Sequence, residues 1–370
     1  MSTKNLIDTA TQVSVLIISV QTPQNKTFDS ESYFQEFRNL VKTSGVNPTE
    51  ELYLKLRSID YSYFFTKGKL SELIQFCSDK NFDEIIISEP LTTQQVKNLK
   101  ESLNTPIIDR TELILRIFEL GAQSAEGKIQ VEMAFLKHKK SRLVGYGMFM
   151  SQQGGTISSK GPGETAKEKA IQHLERSITQ ARKELAQLEK TRDIQRKRRL
   201  ESAAPHIAIV GYTNAGKSTL LNTLTNSTIL AEDKLFATLD TTTRELRFGT
   251  KKIGTISDTV GFIQNLPHSL INAFKSTLSE LLYAKLLLIV TDISDKNWRN
   301  HIRVVQKTLE EIGAHTIPVL FVFNKIDQID PKEINLEELE TFYKPYTLIS
   351  AINKQDCQPL IGLLTSWKAK

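Results

Sequence analysis

Apolar positions divide the chain into two regions of alternating strands and helices, separated by a region of long helical periodicity. In the first region, short apolar runs alternate with segments whose apolar residues recur every three or four positions. The pattern predicts strands over 13–20, 52–54, 84–88 and 106–109, and helices over 30–42, 67–78 and 93–102. This alternation predicts a small α/β domain over residues 1–120.

The central region has the pattern of two long helices. One runs from 111 to about 143, with Ile129, Met133, Leu136 and Leu143 near a heptad seam. The second begins after Glu164, and its apolar residues follow the a and d spacing of a coiled coil. They are Ile171, Leu174, Ile178, Ala181, Leu185 and Leu188. The segment between the helices, 145–163, carries six glycines and Pro162, which predicts an antiparallel helical hairpin over 121–200 with a glycine-rich tip.

The last region alternates strands and helices again, from His206 onward. Strands are predicted over 207–210, 245–248, 253–258, 286–291, 319–323 and 347–350. Residues 201–370 are therefore expected to form a doubly wound, mostly parallel sheet that binds its ligand at the carboxyl ends of the strands.

Cysteine content and hydropathy restrict the class of protein. Of the 370 residues only Cys77 and Cys357 are cysteines, and they have no partner motif that would indicate a disulfide framework or a zinc site. The first residues lack the pattern of a secretory leader, and no apolar run is long enough to span a membrane. We expect a cytoplasmic protein.

Positive charge is concentrated in the central region. Residues 137–199 contain 16 Lys and Arg against 6 Asp and Glu, although the whole chain has a net charge of only +6. The end of this segment, 191–200, includes four consecutive basic residues and is predicted to be a helix end followed by a basic linker. This concentration indicates an anionic partner, most naturally a nucleic acid, or else a solvated basic helix.

A phosphate-binding loop follows the predicted strand at 207–210. Its pattern is G-x-x-x-x-G-K-S, in which backbone N–H groups bind a polyphosphate, Lys217 reaches the outer phosphates and the Ser218 hydroxyl binds Mg²⁺. The loop consists of Gly211, Tyr212, Thr213, Asn214, Ala215, Gly216, Lys217, Ser218 and Thr219. Asn214 either helps to bind K⁺ near the phosphates or only stabilises the loop. Lys67, Gly68 and Lys69 could make a second phosphate contact, but a structural turn is favoured there.

Two further motifs define the rest of a GTP site. Asp258, Thr259, Val260 and Gly261 end the strand at 253–258, which brings a carboxylate near Mg²⁺ and a glycine N–H near the terminal phosphate. Asn324, Lys325 and Asp327 follow the strand at 319–323. An aspartate can accept two hydrogen bonds from guanine, whereas adenine offers no such pair of donors. Ser350 and Ala351 would support the base from its other side.

The segment between these motifs is predicted to be a switch. It contains Phe236, Ala237, Thr238, Leu239 and Asp240. We assign Thr238 as the second Mg²⁺ ligand, with Thr241, Thr242 and Thr243 as alternatives. Lys217, Thr238 and Gly261 are the predicted catalytic residues. Phe262 occupies the position where many switch GTPases have a water-orienting glutamine, so intrinsic hydrolysis should be slow. His206 and His268 are expected to have packing or surface roles.

These motifs resemble the HflX family of ribosome-associated P-loop GTPases. The nucleotide motifs at 236–240, 258–263 and 324–327 are similar to those of the family, as are the upstream segments 109–115, 126–132 and 161–164. The resemblance implies binding to the large ribosomal subunit, with the N-terminal domain and the hairpin contacting ribosomal RNA. It also allows a nucleotide at the N-terminal domain, although no complete motif supports one. No extra C-terminal domain, as some members carry, is expected.

The chain departs from the family at the hairpin tip. Where the family usually has arginine and glycine, residues 156–160 read Thr-Ile-Ser-Ser-Lys. Two functions are compatible with the pattern: a GTPase that splits or rescues ribosomes, and an RNA-binding assembly or regulatory factor that uses GTP as a timer. We expect GTP or GDP and ribosomal RNA as partners, no DNA, and a monomer.

Overall fold

A computed structural model describes residues 13–25, 30–153, 162–201, 205–225, 235–236, 242–264 and 279–367. These residues form two compact units. The first draws on Met1–Ile114 and Ser141–Ser159, and the second on Leu115–Lys140 and Lys160–Lys370. The three domains predicted from the pattern, with boundaries near residues 120 and 200, stay a proposal.

The first unit contains a four-stranded parallel sheet. Its strands are β1 (Val15–Gln21), β2 (Glu50–Lys55), β3 (Glu84–Ile87) and β4 (Ile107–Ile108), in the order β2-β1-β3-β4. The helices along this part of the chain are α1 (Ser30–Thr43), α2 (Lys67–Ser78), α3 (Thr93–Leu103) and α4 (Arg110–Gly121). β1 is apolar and buried along almost its whole length, as in parallel sheets covered on both faces. The predicted small α/β domain is confirmed.

Buried polar residues fill the space near the carboxyl ends of β1, β3 and β4. Arg110 forms an ion pair with Glu36 and lies over the ring of Tyr33, 4.9 Å from its centroid. The Tyr33 hydroxyl donates to Glu89 at 2.8 Å. Burial raises the pKa of Glu89, although its hydrogen bonds from Tyr33 and Asn25 act in the opposite direction. Glu89 thus accepts hydrogen bonds from both Tyr33 and Asn25, as expected of a buried carboxylate in a structural network.

The predicted turn around Gly68 is instead helical. Lys67, Gly68 and Lys69 form the first turn of α2, and Lys69 pairs with Glu72 at 2.7 Å, one turn along the same helix. The helix predicted over 67–78 therefore begins where the pattern places it, and only the turn favoured at Gly68 is wrong, since a glycine can stand in the first turn of a helix.

The central region forms two long helices, α5 (Ala125–Gln153) and α6 (Pro162–Glu201). Within the second unit Met133 packs with Ile178 and Ala181, and Lys140 pairs with Glu175 at 2.7 Å. Residues closer to the C-terminus of α5 therefore contact residues closer to the N-terminus of α6. This antiparallel pairing along the predicted heptad seam confirms the hairpin.

Three details of the predicted hairpin are wrong. The single helix expected over 111–143 is broken after Gly121, where the Ser124 hydroxyl accepts from the Gly127 N–H at 2.9 Å and begins α5. Gly145 and Gly147 lie inside α5, because an isolated glycine costs a helix only about 1 kcal/mol. Residues 191–200 continue α6, since lysine, arginine and glutamine are good helix formers. Residues 154–161 of the predicted tip, which include Thr156 to Lys160, lie outside the described residues.

The second unit also contains a six-stranded sheet. Its strands are β5 (His206–Gly211), β6 (Thr242–Phe248), β7 (Lys251–Asp258), β8 (Leu286–Asp292), β9 (Val319–Asn324) and β10 (Tyr346–Leu348). They lie in the order β10-β9-β8-β5-β7-β6, and β6 alone is antiparallel to its neighbour. The named helices of this region are α7 (Lys217–Thr225), α8 (Trp298–Glu311), α9 (Leu336–Phe342) and α10 (Gln358–Ser366). The predicted doubly wound sheet is confirmed.

Alternate side chains of the central strands belong to two hydrophobic clusters, one on each face of this sheet. Ile207 and Ile209 of β5 belong to one cluster, and Ala208 and Val210 to the other. β5 is thus the central strand between β8 and β7, and the loop that follows it opens at the switch point of the sheet. Across the described part of the chain, no helix is long and apolar enough to cross a membrane.

Candidate GTP-binding site

The phosphate-binding loop connects β5 to α7. Gly216 has a φ of +90°, and a side chain at this position would collide with the amide nitrogen of Asn324. Only glycine meets both conditions without strain. The N-terminus of α7 at Lys217 faces the loop, so its backbone N–H groups and helix dipole favour an anion there. The structure therefore supports the predicted phosphate position.

Lys217 is buried beneath this loop. Its ammonium donates to the Tyr212 carbonyl at 2.8 Å. Burial lowers the pKa of Lys217 to about 8, although the negative charge of Asp258 acts in the opposite direction. Phosphate oxygens would compete with the Tyr212 carbonyl for this ammonium and would favour its charged form.

Ser218 and Asp258 bring two oxygen ligands together. The Ser218 hydroxyl donates to a carboxylate oxygen of Asp258 at 2.6 Å, and Asp258 is buried at the end of β7. A hydroxyl and a carboxylate are ligands suited to Mg²⁺, which usually keeps its other positions for phosphates and water. The donor set therefore fits the predicted ion. The neighbouring Thr259 hydroxyl donates to the Ile209 carbonyl at 2.8 Å, so Thr259 fastens β7 to β5.

The segment after Asp258 packs tightly against the phosphate-binding loop. A side chain on Gly261 would come within 2.8 Å of Thr213 Cγ2 and 2.9 Å of Lys217 Nζ. The Thr213 N–H donates to the Phe262 carbonyl at 2.8 Å, and the Phe262 N–H donates to the Gly211 carbonyl at 3.1 Å. Phe262 itself is 2% exposed and belongs to a cluster with Val210 and Leu281. Its side chain is part of the core.

Asn324 links two loops of the site. Its amide nitrogen donates to the Ala215 carbonyl at 2.9 Å, and its amide oxygen accepts from the Ala351 N–H at 2.8 Å. The sequence predicts Asn324 as part of the base-binding motif. The structure shows that it first joins the phosphate-binding loop to the loop after β10. Thr223 of α7 adds a second link, since its hydroxyl donates to the Ala351 carbonyl at 2.6 Å.

Asp327 lies in a short 3-10 helix, Ile326–Gln328, and is exposed, so its carboxylate is accessible to a base. Lys325 has a φ of +64° and pairs with Asp292 at 2.7 Å. Ser350 is buried, and its carbonyl accepts from the Cys357 thiol at 3.6 Å. The predicted base-binding residues thus come together at the ends of β9 and β10.

The predicted switch is described only at its edges. Phe236 is buried with a φ of +57°, and its ring meets Phe118 of α4 edge-to-face, with centroids 4.7 Å apart. Thr242 and Thr243, two alternatives for the Mg²⁺ ligand, begin β6 and pair with β7. The other residues assigned to this segment lie outside the described residues: Ala237, Thr238, Leu239, Asp240 and Thr241.

The sequence predicts packing or surface roles for two histidines, His206 and His268. His206 has its ring nitrogens 3.0 Å from the Thr255 hydroxyl and 3.2 Å from the Ser257 hydroxyl, so it joins β5 to β7. His268 lies outside the described residues. The sequence reading missed His301, which stacks on Tyr212 of the phosphate-binding loop. Its position on α8, almost 90 residues from the loop, gave no local signal.

Three family models match successive parts of the chain. Residues 31–119 match the model described as GTP-binding GTPase N-terminal, and residues 121–199 match GTP-binding GTPase Middle Region. Residues 206–325 match 50S ribosome-binding GTPase. Together these matches span most of the chain.

Curated relatives and one solved structure agree with these models. The chain is 44% identical to GTPase HflX of Caldanaerobacter subterraneus subsp. tengcongensis, over 86% of this chain and 73% of that protein. It is 40% identical to GTPase HflX of Escherichia coli strain K12, over 83% of this chain and 72% of that protein. A crystal structure of SsGBP in complex with GDP has a TM-score of 0.51 and 26% identity, covering 95% of this chain and 99% of that one. The chain therefore belongs to the HflX family of GTPases, which bind GTP and hydrolyse it to GDP and phosphate.

Proposed function

We propose that this GTPase binds the large ribosomal subunit and couples its nucleotide state to ribosome splitting or rescue. In the proposed site the loop around Lys217 holds the phosphates, Ser218 and Thr238 hold Mg²⁺ with Asp258 nearby, and Asp327 reads guanine. Intrinsic hydrolysis is slow, because Phe262 is buried and apolar and cannot orient a water molecule. Stimulation would then come from the ribosome.

The positive charge of the helical hairpin is the main observation that supports a ribosomal partner. Lys137 of α5 lies close enough to Arg182 of α6 that its pKa is lowered, chiefly by burial and further by this positive neighbour. Like charges facing each other across a hairpin are destabilising unless an anion lies near them. Lys139 and Lys169 add exposed positive charge to the same helices. Ribosomal RNA supplies anions at the required density.

The family comparison supports the same partner. The model that matches residues 206–325 is described as a 50S ribosome-binding GTPase. The second candidate function is an RNA-binding assembly or regulatory factor for the large subunit, with GTP as its timer. It is favoured by the tip residues 156–160, which lack the arginine and glycine that the family usually has.

Co-sedimentation tests the proposal. The full chain is incubated with intact ribosomes and a non-hydrolysable GTP analogue, with GDP, or without nucleotide. We expect binding to the large subunit with the analogue, and a shift of intact ribosomes to free subunits. Binding to immature large subunits without that shift would favour the assembly factor. Failure to bind any ribosomal particle would contradict both.

Charge reversal identifies the contacting helices. Lys139→Glu with Lys169→Glu changes two exposed hairpin residues, and Lys307→Glu with Lys332→Glu makes the same charge change at exposed positions outside the hairpin. If each hairpin lysine contacts a phosphate, the first pair lowers the slope of log affinity against log salt by about 2. The second pair should leave it unchanged. Equal effects of both pairs would indicate only a general electrostatic attraction.

K⁺ is proposed as a second cofactor, next to Asn214. This residue is exposed at the tip of the loop with a φ of +61°, where its side-chain oxygen can face a cation near the phosphates. Hydrolysis should then be faster in K⁺ than in Na⁺, and Asn214→Ala should abolish the difference. Equal rates in the two salts, with and without ribosomes, would leave Asn214 as a loop-stabilising residue.

A further inference from the structure

Within the described part of the chain, three hydrogen bonds fasten the segment after Gly261 to the phosphate-binding loop. Two are the backbone bonds of Phe262 to Gly211 and Thr213, which any residue at these positions could make. The third differs in kind, because the Gln264 N–H donates to the Tyr212 hydroxyl at 2.7 Å. It depends on a side chain of the loop itself.

The ring of Tyr212 is held in place by His301. The two rings are almost parallel, at 11°, and their centroids are 3.9 Å apart. Tyr212 is 6% exposed and His301 7% exposed, so neither ring has room to turn into solvent. His301 lies on the buried face of α8 with Trp298 and Ile302. The stack thus connects α8 to the hydroxyl that accepts from Gln264.

We propose that Tyr212, held by His301, is a positioning residue for GTP hydrolysis. Its hydroxyl fixes the backbone at Gln264, and with it the segment that contains Gly261 and Phe262. The Gly261 N–H must point at the terminal phosphate as charge develops there, and a donor contributes most when it is oriented before the reaction. This inference rests on the proposed GTP site and extends it to two buried side chains that would act through the backbone at Gln264.

The stack alone could be ordinary core packing, so the hydroxyl must be tested separately from the ring. Tyr212→Phe removes one oxygen and keeps both the ring and its contact with His301. It leaves the Gln264 N–H buried without this acceptor, while the two backbone bonds of Phe262 remain. A role in packing predicts little change in this variant, whereas a positioning role predicts a slower chemical step.

Single-turnover hydrolysis and nucleotide binding are measured without ribosomes for Tyr212→Phe. We expect the rate of hydrolysis to fall by about three- to tenfold, the range of one hydrogen bond, while the Kd values for GTP and GDP stay within about twofold. His301→Ala should reproduce the slower rate, since the ring loses its support. His301→Phe should restore a rate close to wild type, because it keeps the stack.

A double variant tests whether the two residues act through one contact. If they do, Tyr212→Phe combined with His301→Ala is no slower than the slower single variant, instead of showing the product of the two effects. His315→Ala removes an exposed histidine elsewhere and is the matched control, expected to match wild type. Multiplicative effects in the double variant would show that His301 does not act through Tyr212.

Two results would overturn the inference. One is a Tyr212→Phe rate within twofold of wild type, and the other is a parallel loss of rate and nucleotide affinity, which a structural defect would produce. Lys217→Ala separates this failure from failure of the site itself. If Lys217→Ala still binds GTP normally, the proposed site is wrong. If it loses GTP while Tyr212→Phe is fully active, only the positioning role fails.

Discussion

The ammonium of Lys217 is buried, and in the proposed site its positive charge would bind the phosphates. Its pKa of about 8 means that the free protein loses this charge just above neutral pH, whereas a bound polyphosphate would keep it protonated. Binding then takes up a proton, so affinity for GTP should fall as pH rises from 7 to 8.8, approaching tenfold per unit above pH 8.

Fluorescence titration with labelled GDP and GTP measures this slope. Lys217→Arg keeps its charge throughout the range, so its affinity, although weaker, should vary little with pH. A wild-type affinity that is constant from pH 7 to 8.8 would contradict the lowered pKa of Lys217 in the free protein.

Phe262 shows why an apolar residue can follow Gly261. Its ring is in the core, so Phe262→Gln would bury a polar amide instead of orienting water. We expect no increase in the rate of hydrolysis and a loss of about 3 kcal/mol in the free energy of unfolding. Denaturant unfolding and single-turnover hydrolysis measure the two quantities. Faster hydrolysis in this variant would show that the side chain can turn toward the nucleotide.

At the scale of elements, the sequence predicted the strands better than the ends of the helices. The strands of the six-stranded sheet are apolar runs with clear boundaries, and β5, β7, β8 and β9 lie where the pattern placed them, within one or two residues. Helix ends depend on capping residues and on glycines. The free-energy cost of a glycine inside a helix is small compared with the stability that continued packing of the helix contributes. For this reason the pattern predicts a loop at Gly145 and Gly147 and a helix end plus linker over 191–200, where the structure has helix.

The hairpin core offers a test of how α5 and α6 hold together. Ile178→Ala removes a buried side chain that packs with Met133 and Ala181. The expected loss is about 3 kcal/mol in local stability, because a cavity remains between the helices. Hydrogen exchange should therefore quicken in both helices while the six-stranded sheet stays protected. Arg176→Ala, an exposed change on the same helix, should alter neither.

At the scale of the whole molecule, the sequence predicted the class of each part and the family, because nucleotide motifs are local. It could not predict contacts between distant positions, such as His301 on Tyr212 or Asn324 between two loops. Each of these contacts joins residues that only the folded sheet brings together. The separation of His301 and Asn324 from Lys217 along the sequence follows no fixed motif, so the sequence alone does not predict these contacts.

Ribosome stimulation is the prediction that belongs to the whole chain. If the proposed function is right, purified large subunits should raise GTP turnover of the full chain at least about tenfold, whereas small subunits should not, since the partner would supply the orientation of water that Phe262 cannot. Steady-state phosphate release measures both. The double hairpin variant at Lys139 and Lys169 should lose stimulation but keep its basal rate. Equal stimulation by both subunits would contradict a specific site on the large one.

The position of Asn324 also limits how the specificity of this enzyme can be altered. In the proposed site the same amide supports the loop around the phosphates and the loop beside the base, so a foreign base that disturbed this amide would also weaken the hold on its own phosphates. The site would then bind both the base and the phosphates of ATP less well than those of GTP. A redesign for another base would have to change Asp327 and leave Asn324 untouched.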